Sequence, residues 1–240
     1  MQTLASNRLQ PLVALAAFRK LMQNPDDTHQ VFMIGEALRG NSLARVTERF
    51  RASDLGRAVL AGRHALLPIL ADRTALAALP DGSLGRAYLD FVVAESLSAQ
   101  GLAEAARKRD AMSRATPDEQ AFRRHLRDSH DLWHVLTGYG RDPLGEVCLL
   151  AFTYAQTRLT GLGAIAFLGT FRIARALRPQ PVRAAVLDGY RTGRAATWLP
   201  GQDWTDLLAC DVDRARARLG LPAPSRYHAI ARHVSGTVAV

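Results

Sequence analysis

Two histidines and two acidic residues stand close together in the middle of the chain, in the segment SHDLWHVLTGYGRDPLGEV at 129–147. Imidazole and carboxylate groups are the side chains that most often bind divalent metal ions, together with thiolates. The four candidate ligands are His130, Asp131, His134 and Glu146. Two nitrogen and two oxygen donors suit zinc, and they also fit Fe2+, Mn2+ or Mg2+. A carboxylate that binds through one oxygen leaves a position for water or substrate, as a catalytic metal site requires.

Two predicted helices must position these side chains. A capping box at 116–119, with proline at the first helical position, predicts a helix that runs to about Thr137. Asp142, followed by proline, predicts the start of a second helix that continues towards Arg158. The residues between them, 138–142, include two glycines, which permit a tight reversal of the chain. The pattern therefore predicts an antiparallel helix pair.

The spacing of the candidate ligands suits such a pair. His130 and His134 are four residues apart, which is one helical turn, and Asp131 lies about 100° around the helix from His130. These three side chains are expected to share a face. His134 is three residues before the predicted end of its helix, and Glu146 is three residues after the proline that begins the next one. Antiparallel packing would bring these two positions level, so that both imidazoles and both carboxylates meet.

The same residues also fit interpretations without this metal site. A histidine pair on a helix is often a surface coincidence, and acidic residues near a helix start often serve the helix dipole. Metalloproteases of the HExxH type need glutamate where this chain has Asp131, which disfavours protease chemistry. All-helical HD phosphohydrolases use a His-Asp doublet, but they need a further upstream histidine and a distant aspartate. The remaining histidines form no comparable cluster, and we expect them to be structural or solvent-facing: His29, His64, His125, His228 and His233.

Length and composition indicate one folded domain. The chain has 240 residues, and its hydrophobic content of 48% argues against disorder. The two cysteines, Cys148 and Cys210, show no metal-binding or disulfide spacing, which favours a reducing compartment on the cytoplasmic side. The longest apolar run, 161–171, is far too short for a transmembrane helix, and we interpret the N-terminus as the first helix of the folded domain rather than as a signal peptide.

The net charge of +9 calls for an anionic partner or another cause. Almost all of this charge is arginine, since Lys20 and Lys108 are the only lysines, and codon bias explains most of that ratio. Nucleic acid is disfavoured, because the aromatic residues are not interleaved with the basic ones and no nucleic-acid motif is present. An anionic membrane surface is the better candidate.

Helical patterns dominate the whole chain, and strand patterns are nearly absent. We therefore predict an all-α fold, a single-domain multi-helix bundle with the antiparallel pair and its metal site at the centre. Gly220 ends the last predicted helix, and 222–240 is interpreted as a basic C-terminal tail. The predicted helices outside the central pair are 11–23, 27–39, 42–51, 53–61, 64–78, 84–106, 163–177, 181–196 and 203–219.

Three stretches resemble the Coq4 family of ubiquinone biosynthesis proteins. The run from His130 to Glu146 matches the family motif HDxxHx11E. The segment LPDGSLGRAYLDFV at 79–92 resembles the family pattern LPxGTLGxxYxxF, with Ser83 in place of the usual threonine, so that the hydroxyl is kept. The segment 201–221 resembles the C-terminal helix of the family. The resemblance covers roughly 10–221 and gives a Coq4-like helical domain at 1–221, followed by the tail at 222–240, which has no counterpart.

The resemblance implies a metal-dependent enzyme. It implies a helical fold in which His130, Asp131, His134 and Glu146 bind the metal and act in catalysis. The implied reaction is removal of the C1 carboxyl group from a polyprenylated 4-hydroxybenzoate-type ring, with oxidation at that carbon in some versions. The competing interpretation is a non-catalytic scaffold that binds prenyl lipid and organises other ubiquinone biosynthesis enzymes, and an HD-type phosphohydrolase is a third.

The resemblance also implies lipid partners and a membrane location. We expect a peripheral protein on the cytoplasmic side of a bacterial inner membrane, or at a mitochondrial equivalent. Its expected partners are a polyprenyl aromatic lipid, an anionic membrane surface, other ubiquinone biosynthesis proteins and a second copy of the chain. The helix after Arg158 carries Gly161, Gly163 and Gly169. These glycines either line a groove for the isoprenoid chain or permit tight helix packing, and both interpretations are open.

Overall fold

The computed structural model describes residues 9–24, 27–95 and 115–238, and the regular structure in these ranges is α-helical. The β-type pairing found there is an isolated bridge between Ser83 and Asp211. This confirms the predicted all-α, single-domain fold. The α-helices of the described ranges are α1 Pro11–Gln23, α2 Thr28–Ala37, α3 Ser42–Arg51, α4 Asp54–Leu60, α5 Leu66–Ala71, α6 Arg73–Ala77, α7 Leu84–Ala94, α8 Pro117–Asp128, α9 His130–Thr137, α10 Pro143–Thr157, α11 Thr160–Ala176, α12 Val182–Ala195, α13 Trp204–Leu208, α14 Val212–Leu219 and α15 Ser225–Val238.

Three predicted helices are each divided in two, because a polar side chain bonds to nearby backbone at the break. Asp72 and Asp211 each accept hydrogen bonds from backbone N–H groups of the helix that follows. Ser129 separates α8 from α9, and its hydroxyl donates to the carbonyl of Leu126 at 3.0 Å. The single predicted helix that carried the histidines is therefore two helices with a break just before His130.

The other predicted helices are observed with boundaries that agree within three residues, apart from the one at 84–106. That helix is seen as α7, and its predicted continuation after residue 95 lies outside the described residues. The segment 222–240, interpreted as a tail, contains α15. In the part of the chain that the structure describes, no helix is both long enough and apolar enough to cross a membrane.

Helix α10 forms the centre of the core. Apolar side chains cover most of its circumference, and Cys148, Leu149 and Phe152 are fully buried. Helix α12 packs directly on its backbone, because a Cβ atom at Gly189 would lie 2.7 Å from the carbonyl oxygen of Cys148. A helix enclosed in this way gives Glu146, in its first turn, a rigid support.

The glycines of α11 serve helix packing. A Cβ atom at Gly163 would lie 2.8 Å from the ring of Tyr154, and one at Gly169 would lie 2.8 Å from the side chain of Val147. Gly161 packs against α2, although it also lines a cavity described below. Close packing is therefore the role of Gly163 and Gly169, and only Gly161 fits both interpretations.

Candidate metal centre

Three of the four predicted ligands converge in the structure. The Nε2 atoms of His130 and His134 are 3.2 Å apart. One carboxylate oxygen of Glu146 lies 3.5 Å from Nε2 of His134, and the other lies 3.7 Å from Nε2 of His130. Among the described residues, these are the three whose potential ligand atoms all lie within 4.8 Å of one another. The reversal between the two helices thus brings Glu146 beside His134, as the spacing predicts.

The distances suit one bound cation. A tetrahedral zinc ion with ligands at about 2.1 Å holds its donor atoms about 3.4 Å apart. The three separations observed here, between 3.2 and 3.7 Å, are close to that value. Two imidazole nitrogens and one carboxylate also form a three-ligand set that leaves further coordination positions for water or substrate. The donor types and separations therefore fit a divalent metal such as zinc.

Hydrogen bonding fixes the ring of His134. Its Nδ1 lies 2.9 Å from the carbonyl oxygen of Tyr139, which makes Nδ1 the donor and leaves the lone pair of Nε2 directed into the cluster. The imidazole is buried, and the ring of Phe91 stacks on it at 5.6 Å. Tyr139 therefore orients the His134 ring through its backbone carbonyl.

Asp131 stands at the edge of the cluster. Its carboxylate is not one of the ligand atoms that lie within 4.8 Å of one another. Burial, and secondarily the charges of Asp131 and Asp128, raise the pKa of Tyr88 on α7 to about 12. A position one residue after His130 turns the short aspartate side chain about 100° away from the histidine face. A role for Asp131 as the fourth ligand stays a prediction.

The surroundings of Glu146 favour its ionised form. Burial opposes its charge, but the adjacent imidazoles of His130 and His134 outweigh that effect and hold the pKa of Glu146 well below its usual range. Arg141 adds a guanidinium nitrogen 3.7 Å from the carboxylate. An anionic carboxylate at neutral pH is the form that binds metal ions.

The reversal between α9 and α10 follows from local sequence. Gly138 ends α9 in the left-handed conformation, with φ of 73°. Asp142 caps α10 by accepting from the backbone N–H groups of Leu144 and Gly145 at 3.0 and 3.1 Å. A Cβ atom at Gly145 would lie 2.0 Å from the carbonyl oxygen of Gly140, so the loop folds directly back on the first helical turn. These residues determine the distance between His134 and Glu146.

A cavity of about 520 Å³ opens beside the centre, and His130, Asp131 and Glu146 form part of its wall. This volume is in the range of small-molecule sites. The rest of the wall has two characters. Its apolar part comprises Leu43, Leu126, Trp133, Leu150, Leu159 and Leu162, and its cationic part comprises Arg39, Arg123, Arg127 and Arg141.

The arginines were not predicted from the sequence. Arg39 follows α2, and Arg141 lies in the reversal loop, so only the tertiary fold places them together. For the other two arginines, Arg123 and Arg127, the sequence does contain a local signal. Arg123 and Arg127 precede His130 by seven and three residues, which continues the histidine face back along the helix. That stripe predicts cationic groups beside the histidines.

Comparison with known proteins agrees with these features. The family model described as coenzyme Q (ubiquinone) biosynthesis protein Coq4 matches residues 3–225. The mitochondrial ubiquinone biosynthesis protein coq4 of Talaromyces stipitatus is 28% identical over 221 residues, which is 90% of this chain and 73% of that protein. The mitochondrial COQ4 homolog of Danio rerio is 29% identical over 164 residues, 68% of this chain and 58% of its own length.

A solved structure supports the fold. The crystal structure of a ubiquinone biosynthesis protein candidate from Nostoc punctiforme PCC 73102 superposes with a TM-score of 0.60. The match covers 89% of this chain and 99% of that one, at 22% sequence identity, so the two chains share a fold. The resemblance inferred from the sequence motifs is confirmed by the family match over nearly the whole chain. The chain is therefore a member of the Coq4 family, and its role lies in the biosynthesis of coenzyme Q (ubiquinone).

Proposed function

We propose that this Coq4 family member is a metal-dependent decarboxylase, a lyase, that removes the C1 carboxyl group from a polyprenylated 4-hydroxybenzoate-type ring. The observation that carries the proposal is the position of the three-donor cluster beside a cavity with an apolar side and a cationic side, with His130 and Glu146 in the cavity wall. Each part of such a substrate has a counterpart there. The ring oxygens suit a metal ion, the carboxylate suits guanidinium groups, and the prenyl chain suits the apolar wall.

The reaction exchanges a carbon–carbon bond for a carbon–hydrogen bond. Electron density from the para oxygen lets C1 accept a proton, which gives a dienone-like ring. The bond from C1 to the carboxyl group then breaks, its electron pair restores the aromatic ring, and CO2 leaves. In an oxidative version a hydroxyl group replaces the carboxyl group, and two electrons pass to an oxidant such as dioxygen. A divalent cation, when bound, would supply Lewis-acid stabilisation of charge on the ring oxygens.

The chain's own residues would hold and orient the reactants. His130, His134 and Glu146 would bind the cation, and Asp131 stands in the same cavity wall. Arg141, which lies against Glu146, is a cavity guanidinium beside the ligand set. A substrate carboxylate bound next to the metal would meet its planar N–H donors, which suit carboxylates and fix the direction in which CO2 departs.

An anionic membrane surface is the proposed source of the prenylated substrate. Helix α1 exposes Leu12 and Leu15, and helix α11 exposes Phe167 and Phe171. Both helices pack on α2, which also contributes to the cavity wall. Apolar side chains on the surface of a chain with net charge +9 favour peripheral binding to anionic lipid.

The decisive experiment follows the carboxyl carbon. Purified protein loaded with Zn2+, or with Fe2+ or Mn2+, is incubated with a prenylated 4-hydroxybenzoate labelled with carbon-13 in the carboxyl group. We expect labelled CO2 and a ring product without the carboxyl group, and we expect both to disappear on chelation while circular dichroism is unchanged. Parallel aerobic and anaerobic reactions distinguish the oxidative from the non-oxidative version.

A non-catalytic prenyl-lipid scaffold is the second candidate, and the exposed apolar side chains of α1 and α11 favour it. In a ubiquinone-deficient strain complemented with this chain, normal ubiquinone synthesis by a His134→Ala variant would support the scaffold and reject the enzyme. The HD phosphohydrolase finds less support. No further histidine or carboxylate of the described residues joins the cluster, as a second metal of such an enzyme would need.

A further inference from the structure

Helix α15 lies against the reversal loop at 138–142 that joins the two halves of the metal centre. The hydroxyl of Tyr227 accepts a hydrogen bond from the backbone N–H of Gly140 at 2.9 Å and donates to the carboxylate of Asp142. The neighbouring His228 places Nε2 2.9 Å from the carbonyl oxygen of Gly138, to which it donates. The family match ends at residue 225, so both side chains lie beyond the family-matched region.

The helix and the loop are closely fitted. Tyr227 is 5% exposed, and its ring packs against Tyr139 at 5.3 Å. A Cβ atom at Gly140 would lie 2.6 Å from the hydroxyl of Tyr227, and one at Gly138 would lie 3.2 Å from the ring of Pro224. Any larger side chain at these two loop positions would therefore displace the helix.

The loop in turn controls both sides of the cluster. The carbonyl of Tyr139, in the loop, accepts from Nδ1 of His134. Asp142, also in the loop, caps the helix whose first turn carries Glu146, through the carboxylate oxygen that Tyr227 does not contact. A shift of the loop would therefore change the distance and the angle between the imidazole and the carboxylate.

We propose that Tyr227 and His228 of α15 are positioning residues that set the geometry of the metal centre through the reversal loop. This inference rests on the proposed metal binding, but it concerns residues that touch neither metal nor substrate. A purely structural role is the alternative, since Ile230 anchors the same helix in the core. Metal affinity and coordination geometry distinguish the two, because core anchoring alone leaves both unchanged.

The test uses the full-length protein with Zn2+ and with Co2+ as probes. Tyr227→Phe keeps the ring and removes the hydroxyl. We expect its Zn2+ dissociation constant, measured by competition with a chromogenic chelator, to rise about tenfold, the lower end of the effect of losing an outer-shell partner. The visible spectrum of the Co2+ form should shift as well. Tyr190→Phe is the matched control, because it removes a tyrosine hydroxyl that bonds to Arg158 away from the loop.

A second pair of variants keeps the inference falsifiable if Tyr227→Phe folds poorly. His228→Ala should weaken Zn2+ binding, whereas His228→Gln, whose amide also donates, should restore most of it. Wild-type affinity and an unchanged Co2+ spectrum in Tyr227→Phe or His228→Ala would overturn the inference. If the variants lose affinity but chelation leaves decarboxylation intact, the proposed function fails and the inference stands. If the wild-type chain binds neither ion, both fail.

Discussion

His134 and His125 lie in separate parts of the molecule and share nearly the same surroundings. Both imidazoles are almost fully buried, with 1% and 3% of their surface exposed. Each donates one ring N–H to a backbone carbonyl, of Tyr139 at 2.9 Å and of Pro200 at 3.1 Å respectively. Each also stacks on a phenylalanine ring. Burial, a carbonyl partner and an aromatic neighbour therefore describe a well-held histidine and do not identify a metal ligand.

The two histidines differ in what surrounds the second nitrogen of each ring. The second nitrogen of His134 faces His130 and Glu146, which supply another lone pair and an anionic carboxylate. Burial, and to a smaller extent the nearby His64, lower the pKa of His125 to about 4 against the opposing effect of its bond to Pro200, so this ring is held neutral. A metal ligand thus needs other donors directed at its free nitrogen, and in this chain the reversal loop provides them.

The largest expected effect is the difference in metal affinity between a variant of His134 and a variant of His125. His134→Ala removes a buried nitrogen donor, and we expect Zn2+ affinity to fall by more than about 100-fold, since loss of an outer-shell partner alone costs 10- to 100-fold. His125→Gln, whose amide still donates towards Pro200, should bind Zn2+ as the wild-type protein does. Isothermal titration with Zn2+ measures both. Equal affinity in the two variants would mean that His134 is a core histidine like His125.

The second-largest expected effect is the change with pH in the free energy of unfolding of the metal-free protein. The pKa of His125 is about 4 when folded, against about 6.5 in the unfolded chain, so between these values the unfolded state binds more protons. Stability contributed by the neutral ring is therefore complete above pH 6.5 and is lost as the pH falls towards 4. Between pH 7.5 and pH 5 we expect a loss of about 2 kcal/mol in the free energy of unfolding, measured by urea titration.

The control for this loss is the same His125→Gln variant, which has no ring to protonate. Its stability should fall less over that interval, and the difference from wild type isolates the contribution of His125. Parallel curves for the two proteins would show that another group causes the pH dependence and that the surroundings of His125 do not hold it neutral.

The sequence predicted the convergence of His130, His134 and Glu146 because the elements that bring them together are local. Helical spacing places the histidines on one face, and a glycine and a capped proline mark the two sides of the reversal. The all-helical fold followed from periodicity in the same way. The break at Ser129 was not predicted, since a serine within a helical pattern gives no sign that its hydroxyl will bond back to the preceding turn.

Long-range partners could not be predicted. The sequence around His134 does not reveal that its ring lies against Glu146, and the sequence around His125 does not reveal that its ring bonds to Pro200. Nothing near Tyr227 indicates that it bonds to a loop 87 residues earlier. The same holds for Arg39 and Arg141, which come from separate elements and meet in the cavity wall only in the tertiary fold. The sequence therefore specifies the two helices and the loop that carry the ligands, whereas the residues around the ligands depend on tertiary packing.

The smallest expected effect comes from replacing the phenylalanine ring that stacks on each histidine. Phe91 stacks on His134 at 5.6 Å, and Phe50 stacks on His125 at 5.1 Å. Because the carbonyl bond already fixes the His134 ring, Phe91→Leu should weaken Zn2+ binding by less than about fivefold, a cost of up to about 1 kcal/mol that lies within the range for such ring contacts. Phe50→Leu should leave Zn2+ affinity unchanged and lower the melting temperature, because Phe50 is fully buried. A loss of affinity in Phe91→Leu as large as that in His134→Ala would show that stacking, rather than the bond to Tyr139, orients the ligand.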